Sequence, residues 1–396
     1  MLQPIWGDLA IPFTLLLAWL LGELGQRWLA LPRITSYGLI GIAIALLLKL
    51  SQSLIQVEDL WSLTLLAQIA FGLLLFELGY RINLAWLRHN PWLTLSALVE
   101  SLATFVAVFC VAQFFDLLPV PALLLAALAT ATSPLTLLPV INELRSGGQV
   151  TERTLHLSAL NCGLAIIAFN GIVGYWVLAS AGNTFQAIWN SLIVVCVSAG
   201  LGVLFGVVLT RLLCLADAAD RYSTVAFALA VTALILVTHS LHFSPILATL
   251  IFGLVARHFR NVRHQAQPSF GVLGDLLCIV LFVHIGSRLQ VETLLSGAGL
   301  AASLLLVRYV VKSASMLVFA RLSGLSLKKA LLTGVALTPM ASFGILLLEL
   351  AAQRGLGFPD TLAAMCGLLL IVDLVSPIVL RRTLIVAGEV QKEKVS

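Results

Sequence analysis

Charge is what this chain has least of. Asp, Glu, Lys and Arg make up 10% of its 396 residues while 60% are hydrophobic, whereas a soluble domain is about a quarter charged. That deficit excludes a water-soluble globule. Cysteine is sparse too: Cys110, Cys162, Cys196, Cys214, Cys278 and Cys366 all lie in apolar segments and form no CxxC pair. Neither a disulfide framework nor a zinc site is expected. HExxH and GxSxG are missing, and no paired aspartates are placed to face each other across helices, so metal-assisted hydrolysis and acyl transfer have no residues to run on. The chain is not expected to be an enzyme, and no cofactor is expected. Basic residues are lacking ahead of the first apolar run, which therefore reads as a retained helix and not a cleaved signal.

Long apolar runs, by contrast, are abundant. They fall near 9–29, 34–50, 60–79, 91–115, 119–143, 154–180, 185–214, 222–242, 244–258, 270–287, 296–322, 328–352 and 360–384. Each is close to the roughly 20 residues a membrane helix needs. The expectation is an all-α polytopic membrane protein of about thirteen helices, with one transmembrane domain over 1–384 and a short cytoplasmic tail over 385–396. Basic residues set its orientation, because Lys and Arg stay on the cytoplasmic side of short loops. Of 23 such residues, only Lys49, Arg288 and Arg354 fall in loops on the poorer side. The N-terminus is then outside and the C-terminus cytoplasmic, in a bacterial inner or plasma membrane. The net charge of +5 reports topology and contact with anionic lipid, not nucleic acid.

One pattern occurs twice. Gly79, Arg81, Ile82, Asn83 and Leu84 are echoed by Gly286, Arg288, Leu289, Gln290 and Val291, each time at the polar end of an apolar run. Two further landmarks recur at nearly the same offset: Ser133-Pro134 with Thr338-Pro339, and Gly41 with Gly253. Unrelated helix ends capped by Gly and Arg are the plainer explanation of the first pair, but collinearity of all three favours a duplication. The first motif ends the third predicted helix and the second ends the tenth, and an odd step reverses the direction of crossing. The halves, about 34–180 and 244–384, are thus expected to be inverted-topology repeats, an arrangement that points to secondary transport.

Proline inside a helix removes a backbone donor and clashes with the preceding turn. Both helices should therefore break, at Thr132-Ser133-Pro134 and at Thr338-Pro339. In hydrocarbon, such freed backbone groups are tolerated only where protein or a watery cavity satisfies them. Two broken helices crossing at the midplane would create an ion site, although a structural kink remains the reading of either proline alone.

Ionisable residues within spans are costly, by about 2.5–3.5 kcal/mol each on insertion scales. They comprise Glu23, Glu77, Glu100, Asp275, Glu349, Asp373, Arg308 and Lys312, with His239, His242 and His284 near helix ends. Glu77 is either functional or a snorkelling acid paired with Arg81 four residues on. Arg308 and Lys312 share a helical face with no acid in their segment. They need partners elsewhere, as a charge reference opposite the breaks or as neutralisers of carboxylates and carbonyl ends. Asp373, four residues before Pro377, is the most conspicuous unassigned acid.

Leu31-Pro32 with Gly38 and Gly41, the Leu75-Phe76-Glu77-Leu78-Gly79 helix end, Ser133-Pro134 and Ser158-Ala159-Leu160-Asn161-Cys162-Gly163 together resemble the monovalent cation:proton antiporter superfamily. The second half agrees, through Pro245 to Gly253, Phe282 to Gly286, Lys312 and Gly324 to Pro339. Glu77 resembles the sodium/proton exchanger branch, while Pro32 and Lys312 look more like the Kef-type branch. The resemblance implies a homodimer exchanging Na⁺, K⁺ or Li⁺ for protons by alternating access. It also implies a transport aspartate after Asn161, where this chain has Cys162, and an acid before the first proline, where it has Ser133.

A free thiol has a reference pKa of about 8.5 and is a poor ligand for a hard alkali cation. Three outcomes are open: Glu77 or Asp373 supplies the carboxylate, Lys312 stabilises the thiolate, or exchange is lost. In the last case the chain is a non-transporting homologue with a regulatory or interaction role. The oxygens expected at the site come from Asn161, Thr132, Ser133, Thr338 and the carbonyls freed beside Pro134 and Pro339.

Overall fold

The computed structural model describes residues 61–179, 184–215, 223–241, 243–259, 298–340 and 375–390, with further helical pieces within 13–43 and around 279, 344 and 372. Asp275, Glu349, Asp373, His242, His284, Gly41 and the second glycine–arginine motif lie outside the described residues. Described in chain order are α1 (Trp61–Arg81), α2 (Leu84–His89), α3 (Pro91–Phe114), α4 (Pro119–Thr130), α5 (Pro134–Glu143), α6 (Gln149–Ala179), α7 (Thr184–Leu215), α8 (Ser223–Ser240), α9 (Pro245–His258), α10 (Ala298–Phe319) and α11 (Leu327–Ala336). A further helical stretch runs over 375–387. Five of these helices are long and apolar enough to cross a bilayer: Pro91–Phe114, Gln149–Trp176, Leu192–Leu213, Ser223–Ser240 and Gly299–Phe319.

Local chemistry explains where the helices begin. Proline stands in the first turn of α3, α4, α5 and α9, where its missing N–H leaves no helical bond unmade and its φ is already helical. Ser133 and Ser244 cap α5 and α9 by accepting the Thr136 and Leu247 N–H groups, which satisfies a donor that the helix leaves free. One element was not anticipated. The short α2 is started by Asn83, whose side chain accepts from the N–H groups of Ala85 and Trp86, and it turns the chain from α1 into α3.

The helices pack in two groups. In one, α9 lies against α1 and α7. In the other, α3 contacts α4 and α10, α4 contacts α6, and α11 packs on α10. The first group is built on close backbone approach. A Cβ added to Gly253 would collide with the Phe76 carbonyl oxygen, and one on Gly79 with the Leu250 carbonyl oxygen. Small residues bring membrane helices together because dispersion contacts and packing, not water exclusion, drive their association. The Gly79 of the repeated motif is therefore fixed by the helix it touches. Outward faces remain apolar: Leu204, Leu212, Val225, Leu229, Leu306 and Val318 are exposed, as lipid-facing side chains should be.

The start of α6 is tied to a distant part of the chain. The Glu389 carboxylate accepts the N–H groups of Val150 and Thr151 at 2.8 Å each, and the Thr151 hydroxyl at 2.9 Å. Gly148 has no side chain to obstruct it. This carboxylate caps the helix that bears Asn161 and Cys162.

Gly253→Val should lower stability by about 1–3 kcal/mol through overpacking, measured by thermal unfolding in detergent. Gly171→Ala, where an added Cβ meets nothing within 4 Å, should leave it unchanged or slightly raised. Equal effects from the two would refute close α1–α9 approach.

Candidate functional site

Two helices end at one place, and the first restarts there. α4 stops at Thr130 and α5 begins at Pro134; α11 stops at Ala336, before Thr338-Pro339. Ala131 and Ser133 are extended, and Thr132 pairs antiparallel with Met340 in a single bridge. The Ser133 N–H donates to the Pro339 carbonyl at 3.1 Å, and the Thr132 hydroxyl donates to the Leu337 carbonyl at 3.0 Å. Both breaks anticipated from the prolines are present, and they lie side by side. Pro134 does not kink a continuous helix, however: it opens a new one, with Ser133 as its cap.

A helix end leaves carbonyl oxygens without partners, and burial makes each unmatched one costly. Here the breaks find donors on α10 and α6. Arg308 donates to the carbonyls of Ala131 (3.2 Å), Thr338 (2.9 Å) and Pro339 (3.1 Å). Lys312 reaches the Thr130 carbonyl at 3.2 Å. Ser158 and Cys162 both donate to the Thr132 carbonyl, at 3.1 and 3.2 Å. The thiol is thus a hydrogen-bond donor to the break. A carboxylate, which only accepts, could not make that bond while ionised.

The positive charges on α10 must themselves be matched, and the partner is Glu100 on α3. Glu100 and Lys312 form an ion pair with both side chains fully buried. The same carboxylate accepts from Thr104 at 3.2 Å and from the Asn161 amide nitrogen at 2.7 Å. The Asn161 oxygen accepts in turn from Ser101 at 3.0 Å. Neighbouring residues on α6 therefore face different ways: Asn161 meets the carboxylate, and Cys162 meets the break.

Of the expected site residues, Thr132, Ser133, Thr338, Asn161, Cys162, Arg308 and Lys312 are joined by these bonds. Thr338 takes part through its carbonyl, since its hydroxyl turns back to Val335 at 2.6 Å. Glu77 belongs to a separate cluster. It pairs with Arg81 at 2.6 Å, and Arg81 also donates to Asn142 on α5 at 2.6 Å. Asp373 lies outside the described residues. Glu100 stood in the sequence as an intramembrane acid without a role. A signal was available in the stripe Ser96, Glu100, Thr104, spaced four apart as a single polar face on an apolar helix, and all three are buried on α3.

Apolar outer faces, two interrupted helices held end against end, and a buried carboxylate, amide and ammonium beside them define a membrane transporter for small ions. The chain belongs to the sodium/hydrogen exchanger family: the family's transmembrane model matches residues 13–386. It is accordingly a multi-pass cation/proton exchanger and not an enzyme. The structure is similar to that of the sodium proton antiporter MjNhaP1 from Methanocaldococcus jannaschii at pH 8, with a TM-score of 0.68 at 18% identity, covering 96% of this chain and 97% of the other. A second structure of that antiporter, from an electron microscopy map, gives 0.70 at 20% identity over 98% and 99%. At these identities the likeness establishes the fold. No curated protein matches the chain in sequence.

Removing one partner of a buried ion pair costs about 3–5 kcal/mol, because the other charge is stranded, whereas removing both is often close to neutral. Lys312→Met should therefore lower the thermal midpoint strongly, and Glu100→Gln with Lys312→Met should recover most of the loss. A double variant as unstable as the single one would contradict the pairing.

Proposed function

We propose that cation and proton compete for Glu100. The observation that carries this reading is the buried chain of Lys312, Glu100 and Asn161 beside the crossing. An alkali cation entering such a site gives up water and needs several hard oxygens in its place. The Glu100 carboxylate, the Asn161 amide oxygen and the Ser101 and Thr104 hydroxyls offer them. Thr132, Ser133 and the Thr338 carbonyl add oxygens from the breaks. A carboxylate holds either a metal cation or a proton, and that competition couples their movement in opposite directions.

Lys312 has a second acceptor in the Thr130 carbonyl, so its ammonium can leave the carboxylate to an incoming cation without losing every bond. Arg308, which bonds to both breaks, keeps the crossing neutralised throughout. Cys162 serves in this scheme as a donor that fixes the Thr132 carbonyl, so the place of the transport aspartate is taken by an acid on another helix. Glu77 sits with Arg81 and Asn142 at the end of α1, where it can guard an entrance between α1 and α5. Asp373 is the competing candidate for the exchanged proton.

The remaining features of this reading are alternating access between inverted repeats, a homodimer, and a bacterial inner or plasma membrane with the N-terminus outside and the C-terminus cytoplasmic. The basic residues support the orientation, and the exposed apolar faces of α7 and α8 suit lipid and a second copy. In proteoliposomes holding a pH dye, the wild type should exchange protons for at least one of Na⁺, K⁺ and Li⁺. Glu100→Gln should abolish exchange, while Cys162→Ser, Glu77→Gln and Asp373→Asn should retain it. Undiminished exchange in Glu100→Gln, or its loss only in Asp373→Asn, would overturn the assignment.

A further inference from the structure

Past the close contact of Gly79 with α9, the chain turns from α1 into α2 while α9 runs on to His258, and a cavity of about 420 Å³ opens between them. Ile82, Leu84 and Ala85 wall it on the side of the joint, and Leu254, Arg257 and His258 wall it on the side of α9. The backbone donors of the joint are already used: the Asn83 N–H goes to His156, and those of Ala85 and Trp86 go to the Asn83 side chain. What the cavity offers a ligand is therefore carried by Arg257 and His258. Among the described residues that line it, none is acidic.

The Arg257 guanidinium lies 6.0 Å from the centre of the Tyr80 ring, a stacking that favours the cation and holds the side chain against α1. It makes no hydrogen bond or ion pair with any described residue. The end of α1 carries the same chemistry but handles it differently, since Arg81 is matched by Glu77 one turn earlier and by Asn142. The corresponding place in α9, four residues before Arg257, is Gly253, where the Phe76 carbonyl oxygen forbids a side chain. Close packing has thus removed the i, i+4 position from which an acid could neutralise Arg257. A free guanidinium fork matches a phosphate group through two parallel hydrogen bonds. Its neighbours mark headgroup depth: Trp92 is exposed in the first turn of α3, as interfacial aromatics are, and α2 closes on the exposed Arg88 and His89.

We propose that this cavity binds the phosphate group of an anionic phospholipid, gripped by Arg257 with His258 as a second donor. Basic pockets between membrane helices select anionic headgroups in this way, because a fixed cation meets a phosphate at the depth where lipids present it. A free phosphate would bring the same chemistry. The lipid is favoured by the apolar walls of Ile82, Leu84 and Leu254, which suit the glycerol and the first acyl carbons and give a hydrated ion nothing. In the proposed orientation the lipid comes from the cytoplasmic leaflet. The assignment is independent of where the transported cation binds.

Native mass spectrometry of the full chain in detergent, with phosphatidylglycerol and phosphatidylcholine of the same acyl chains, counts the lipids that stay bound. Per chain, the wild type should keep one phosphatidylglycerol more than it keeps phosphatidylcholine, and millimolar inorganic phosphate should not displace it. Arg257→Ala should weaken that lipid about 10-fold or more, the loss expected for hydrogen bonds to a charged group. Arg211→Ala, which removes an exposed basic residue from α7, should leave it in place. Ala85→Trp fills the cavity while sparing both basic residues, and it should expel the lipid as well; this variant decides the matter if Arg257→Ala does not fold. Equal retention of the two lipids, full retention in either cavity variant, or an equal loss in Arg211→Ala would overturn the site. Displacement by inorganic phosphate would replace the lipid with a soluble anion and overturn the proposal too.

Discussion

Carbonyl oxygens set free where two helices break, in the buried interior, dictate most of the arrangement around them. Thr130, Ala131, Thr132, Thr338 and Pro339 each present an oxygen that the interrupted helices do not use. Satisfying them brings Arg308 and Lys312 into the interior. Two buried cations are untenable without a counter-charge, which brings in Glu100, and a carboxylate with two oxygens needs further donors, which brings in Thr104 and Asn161. The polar centre is a sequence of obligations that begins with Pro134 and Pro339. Its members are satisfied jointly, so the loss of one is felt by all.

Much of this was legible in the residues. Periodicity is uninformative in helices that are apolar all round, but length and punctuation served instead. The run over 91–115 became Pro91–Phe114, and the run over 119–143 split at Thr130 and Pro134 as the proline required. What stayed hidden depended on pairing across space. Glu77 has Arg81 one turn away on its own helix, whereas the partner of Glu100 is the buried lysine of α10, 212 residues further on, which no local pattern names. The short α2 was missed because six residues capped by Asn83 carry too little pattern to separate from a loop.

Cys162 shows how much a residue's part in the structure depends on what surrounds it. Counted as a lost carboxylate, it suggests a disabled exchanger. In place, its thiol donates to the Thr132 carbonyl alongside Ser158, a task that an ionised aspartate cannot perform. The buried carboxylate beside the breaks stands on α3, and α6 bonds it through the Asn161 amide while the Cys162 thiol bonds the break. The Asn161 amide is the hydrogen bond that joins α6 to the Glu100 carboxylate of α3.

The cap on α6 has a consequence for the order in which the protein is made. The N–H groups of Val150 and Thr151 are satisfied by a carboxylate 239 and 238 residues further along the chain, and the Thr132 hydroxyl bonds a carbonyl 205 residues away. Helices inserted early must therefore wait, with their polar ends provisional, until the later half has entered the bilayer. Long sequence separations of this kind slow assembly and expose intermediates to misfolding and aggregation. A nascent chain arrested before residue 389 would lack the carboxylate that caps the helix of Asn161 and Cys162.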